Sequence, residues 1–265
     1  MTYSKPEAKP IMTKATLSSN VLKIPLEQDL LDYAAYIRVK DAAEEVQNTS
    51  SLRGLVLVIN SQGDNLGDMG DVPGEYVHRI PKGDHGAGPI IQQDALNALW
   101  TCMKPTAAFL GEKVGGSSID LASFCDTRVA SDSTILQDDR ITLGQTASTG
   151  ITYLLPRLIG LSQAMRLLLM GGSFNADALL NLQFVHEIVP DCNWQSRIEA
   201  MCDEISKMPT RAYEVHKMQV LPQLDISHDA AMIHSLGIRQ THVIKDRQEG
   251  IQAWRERRAP RFTGE

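Results

Sequence analysis

The run Leu55-Val56-Leu57-Val58-Ile59 constrains this chain more than any other feature. Five consecutive apolar residues leave no polar face, the pattern of a strand covered on both sides of a parallel sheet. A second apolar run is Thr106-Ala107-Ala108-Phe109-Leu110, and a third strand is expected over Thr127–Ser131. A weaker one falls at Val21–Leu26. Helical spacing separates them, at about 28–47, 90–103 and 117–124, then 162–170 and 176–182 before a strand at Val185–Val189. Such alternation predicts an α/β fold with a parallel sheet and crossover helices. After Pro190 the pattern is helical throughout, at 193–208, 210–221, 227–245 and 247–257. The chain therefore divides into a lead-in (1–14), an α/β core (15–192) and a helical C-terminal region (193–265). The lead-in has three lysines, two prolines and no apolar stretch, and reads as disordered rather than as a signal peptide.

Composition narrows the function. The 265 residues are 43% hydrophobic and 22% charged, with a net charge of −6, so a core is available and a nucleic-acid-binding basic face is not expected. Arg255, Arg257, Arg258 and Arg261 form one basic cluster, read as a solvated helix end or an anion contact. The cysteines Cys102, Cys125, Cys192 and Cys202 contain no C-x-x-C pair, lie in apolar or helical surroundings and give no metal pattern. They fit a reducing compartment, and a cytoplasmic location is expected. No apolar run approaches membrane-spanning length, so no membrane partner is expected.

Two glycine-rich loops leave the C-terminal ends of buried strands, where ligands bind in open α/β proteins. They are Gly67-Asp68-Met69-Gly70-Asp71 and Gly111 to Ser118. In the second, Gly115-Gly116 stands directly before a helix, which aims backbone N–H groups and the positive helix end at one point. A donor from each loop would make an oxyanion hole. The alternative is that the two glycines only permit a tight turn.

The order of short motifs is more specific than any one of them. Lys104-Pro105-Thr106-Ala107-Ala108, Gly115-Gly116, Asp120-Leu121-Ala122 and Cys125-Asp126-Thr127-Arg128-Val129-Ala130 are followed by Leu155-Pro156-Arg157-Leu158-Ile159-Gly160. Phe184 to Pro190 and a closing stretch, Asp246 to Phe262, complete the series. In this order, over about Leu52 to Phe262, the chain resembles the crotonase (enoyl-CoA hydratase/isomerase) superfamily. The resemblance implies a ββα spiral core, a helical C-terminal trimerisation region, a homotrimer or dimer of trimers, and a CoA thioester as substrate, with no cofactor beyond that CoA and no metal. It places one oxyanion N–H at Asp68 or Met69 and the other at Gly116 or Ser117. Met69 stands where the family has glycine.

The acid/base positions depart from the family. Asp120 takes the place of the first glutamate, one methylene shorter, and its neighbours Ser118 and Ile119 offer little to neutralise it. Arg140 takes the place of the second, after Asp138 and Asp139. An arginine cannot serve as a base. It can hold a substrate carboxylate or carbonyl, tune Asp138 or Asp139 at the site, or form a surface ion pair. The loop Gln145 to Gly150 carries hydroxyls and no acid; Ser148 is a candidate helix N-cap, and Thr149 a candidate substrate contact. His78 and His85 are candidate bases or surface residues, His78 also a candidate substrate contact, and His186 is read as structural. Lys113, Arg79 and Lys82 are available for CoA phosphates. The resemblance, with these departures, thus implies an enzyme acting on an acyl-CoA or β-dicarbonyl compound through an enolate. The alternatives are a CoA-independent C–C bond hydrolase of a cyclic β-diketone and a catalytically silent partner subunit.

Overall fold

The structure, a computed structural model, describes residues 15–63 and 88–265. The lead-in expected over 1–14 lies outside these residues, as do Asp68, Met69, His78, Arg79, Lys82 and His85. Eight strands form one sheet: β1 (Thr16–Ser18), β2 (Val21–Leu26), β3 (Gly54–Ser61), β4 (Thr106–Gly115), β5 (Thr127–Ser131), β6 (Ile135–Gln137), β7 (Ser173–Asn175) and β8 (Glu187–Val189). The main path is β1-β2-β3-β4-β5-β8, parallel except for the β1-β2 hairpin, which turns through Ser19 and Asn20 at positive φ.

The length of β4 makes the sheet branch. Its first half, Ala107–Leu110, pairs with β5, and its second half, Lys113–Gly115, pairs with β6, which in turn meets β7. The apolar run in β3 is covered on both faces, as its composition demands. Leu55, Leu57 and Ile59 join the larger core with α1 (Tyr33–Asn48), α2 (Gly88–Thr101) and α3 (Ser117–Ser123). Val56 and Val58 join Phe109 and Val129 beneath Ile198, Cys202 and Ile205 of a helix that follows the sheet.

Helix α1 begins at Tyr33 rather than near residue 28. The backbone of the preceding segment is bound elsewhere: Leu31 N–H donates to Gly63 and Gln62 N–H to Asp29, so Asp32 becomes the N-cap. Strand β8 is shorter than its apolar run, because Phe184 and Val185 turn back onto the preceding helix. Cys192 is exposed, unlike the buried Cys102, Cys125 and Cys202, because it lies in a 3₁₀ turn outside the core. His186 is structural in the expected sense: its Nδ1 accepts from the Arg128 N–H.

The remaining helices are α4 (Ile151–Ile159), α5 (Leu161–Met170), α6 (Ala176–Asn181), α7 (Trp194–Lys207), α8 (Thr210–Val220), α9 (His228–Thr241) and α10 (Asp246–Glu256). Buried charges fasten the C-terminal helices to the core. Asp126 accepts from the Thr106 N–H at 2.9 Å, lies 2.7 Å from Lys217 Nζ of α8 and bonds the Tyr213 hydroxyl. Arg53, ahead of β3, donates to the carbonyls of Ser206, Met208, Phe262 and Thr263, and Asp246 takes the backbone N–H groups of Thr263 and Gly264.

Removing the Asp126 carboxylate leaves the buried Lys217 ammonium without its counter-charge. Asp126→Ala is expected to lower the unfolding free energy by about 3 kcal/mol, read as a lower urea midpoint at unchanged slope.

Candidate active site

The turn at the end of β4 is shaped by backbone contact. A Cβ at Gly115 would collide with the Gln62 carbonyl oxygen and lie 3.0 Å from that of Gln137. A Cβ at Gly116 would lie 3.3 Å from Gly63 Cα, and Gly116 has φ 49° and ψ −127°, a conformation other residues avoid. These glycines therefore do more than turn the chain. They let β4 run against Gln62-Gly63, directly after β3, and open α3 at Ser117. The first N–H groups of a helix have no intrahelical acceptor. Ser117 is buried, and its hydroxyl accepts from that of Tyr36, a partner 81 positions away that no local pattern reveals.

One turn into α3, Asp120 is fully buried. Its carboxylate does not stand alone, in contrast to the expectation from Ser118 and Ile119. Arg140 reaches it from the segment after β6 and binds it in bidentate fashion, Nη1 to Oδ2 at 2.8 Å and Nη2 to Oδ1 at 3.0 Å. The Thr149 hydroxyl donates to Oδ2 as well. Arg140 also grips Asp138, with Nη2 2.7 Å from Oδ2 and Nε 3.0 Å from Oδ1. The side chain of Arg140 is 13% exposed and those of Asp120 and Asp138 at most 3%, so this is no surface ion pair. Two largely buried carboxylates share one guanidinium.

Burial pushes the Asp120 carboxyl up, against the pull of Arg140 and Thr149. Burial works the other way on Arg140, but its bonds to Asp138 and Asp120 outweigh it and hold the guanidinium charged.

The other candidates separate. Asp139 turns away from Asp120, accepts from Gln137 Nε2 at 2.7 and 2.9 Å, and shares with Lys113 a cavity of about 390 Å³ beside Gln62 and Gly115. Thr149 lies between Asp120 and a cleft of about 360 Å³ formed with Leu96, Trp100, Phe124 and Gly150. Ser148 is not an N-cap. Gly150, at φ 87°, fills that place for α4, and the Ser148 carbonyl accepts from Gln93. No cluster of metal-binding side chains occurs among the described residues.

This architecture belongs to a known class. A family model described as enoyl-CoA hydratase/isomerase matches residues 40–265, and the chain belongs to that family. It is similar to the "Probable enoyl-CoA hydratase" of Rhodobacter capsulatus, 24% identical over 246 residues that span 92% of this chain and 90% of that one. Among solved structures it resembles an enoyl-CoA hydratase from Bacillus anthracis, with a TM-score of 0.77 at 21% identity over 93% of this chain and 96% of that one. Another, from Polaromonas sp. JS666, gives a TM-score of 0.80 at 18% identity over 94% and 98%. The fold is the crotonase fold expected from the motif order.

Arg140→Met would leave Asp120 and Asp138 buried without a cation. A loss of about 3–5 kcal/mol is expected at neutral pH. In the variant the folded-state carboxyl pKa is raised further above the unfolded value near 3.8. Its proton-linked stability is therefore present below that value and lost as pH rises, so the deficit against the parent should shrink toward pH 4 in denaturation at a series of pH values.

Proposed function

We propose that this chain acts on a CoA thioester through an enolate whose oxygen is held by backbone N–H groups, one at Gly116 or Ser117 and one at Asp68 or Met69. The observation that supports this reading is the packing of Gly115-Gly116 against Gln62-Gly63, the segment that follows β3 and precedes Gly67–Asp71 in sequence. The cleft bounded by Thr149, Trp100 and Phe124 takes the acyl group. Lys113, facing the cavity at Gln62 and Gly115, is placed to meet the CoA moiety. No described helix is long and apolar enough to cross a membrane.

Asp120 is the base. No second carboxylate faces it across an open gap among the described residues, because Arg140 stands where one would be needed. Two-carboxylate hydration is therefore not the reaction these groups favour. Double-bond isomerisation needs one carboxylate, which takes a proton from C2 and returns it at C4 while the dienolate oxygen stays in its hole. Burial keeps the Asp120 carboxyl basic despite the guanidinium. A second reading has its own support: both Asp120 oxygens already accept hydrogen bonds, which suits a chain that binds a thioester without turning it over.

Exposed apolar side chains on the C-terminal helices, Met232, Ile233 and Leu236 of α9 and Trp254 of α10, support assembly as a homotrimer. Conversion of 3-hexenoyl-CoA to 2-hexenoyl-CoA, and exchange of the C2 protons of hexanoyl-CoA in deuterated water, test the chemistry. Both are expected, and both should fall at least about a hundredfold in Asp120→Asn. Thioester binding without exchange would select the silent reading, and no thioester binding at all would overturn both.

A further inference from the structure

A separate cavity of about 430 Å³ opens between the C-terminal end of α3, α4 and α8, a size typical of small-molecule sites. Its walls are largely apolar, with Trp100, Phe124, Leu154, Leu158 and Val220 among them. Three lining residues are cations, Arg128, Arg157 and Lys217, against one carboxylate, Asp126; His216 adds a titratable group. Arg128 is committed to the carbonyls of Phe184 and Cys125. The other two cations have donors to spare. The Lys217 ammonium is buried and 2.7 Å from Asp126, yet aligned for a hydrogen bond with none of the described residues. An ammonium carries three donors. Arg157 stacks over Tyr153 at 3.7 Å and donates to its carbonyl through Nη1, while Asp225 lies 3.6 Å from Nη2.

An apolar chamber lined by two cations with donors to spare complements an apolar chain with a single anionic head. Trp100 and Phe124, edge to face at 5.9 Å, also line the cleft beside Thr149.

We propose that this cavity binds a free medium-chain aliphatic carboxylate, its head toward Arg157 and Lys217 and its chain along Phe124 and Leu158. Calorimetric titration of the full chain with decanoate and with decanol tests this. Saturable binding of one decanoate per chain is expected, with decanol at least about tenfold weaker. Arg157→Gln should weaken decanoate about tenfold, the loss of one charge-assisted hydrogen bond, and leave decanol unchanged. Val220→Trp, at an exposed rim position, should block decanoate while circular dichroism shows the fold retained. Acetyl-CoA should not compete. The proposal is overturned by an absence of saturable heat, by equal affinity for decanoate and decanol, by binding that survives Val220→Trp, or by displacement with acetyl-CoA, which would place the ligand in the substrate cleft.

Discussion

The site depends on the close passage of two backbones, β4 at Gly115 and the end of β3 at Gln62. A side chain at Gly115 would push them apart, and β4 could not then pair with β6 while α3 starts at Ser117. The contact determines where α3 begins, and the helix places Asp120 one turn further on. Strand β4 is thus both the centre of the sheet and the support of the turn that opens α3. Its first half is held by β3 and β5, and its second half presents the turn.

Electrostatics then decide what Asp120 can do. A carboxylate removed from water must be neutralised or paired. Here the partner is Arg140, itself held by Asp138 and able to form two parallel hydrogen bonds to each neighbour. Arg140 thereby occupies the position opposite Asp120. The Asp120 carboxyl is under opposing effects, burial raising its pKa and the guanidinium lowering it.

The same economy of buried charge binds the C-terminal helices. Asp126, Lys217 and Arg53 lie far apart in sequence, and each satisfies backbone or charged groups from a distant segment. Packing of α7 on the second face of the sheet supplies the apolar part of that union, with Phe109 against Trp194 edge to face at 5.4 Å. The α4–α8 cavity lies at this junction, with Lys217 of α8 and Phe124 among its walls.

Much of the fold was legible in the chain itself. The two-faced apolar run in β3, the strand and helix alternation and the late shift to helix are periodic, local properties, and the ordered motifs select one family among parallel-sheet proteins. Asp120, Arg140 and the Gly115-Gly116 turn could be named for the same reason. What those residues do to one another could not. That Arg140 grips Asp120 and Asp138 together, that Asp139 faces elsewhere, and that Tyr36 meets Ser117 all follow from distances set by the folded sheet. Side chains 20 to 81 positions apart leave no trace of their separation in sequence. The sequence by itself determined the architecture and the inventory of polar groups. The tertiary structure alone decided their pairing, because desolvation and hydrogen-bond geometry exist only once the chain has closed around them.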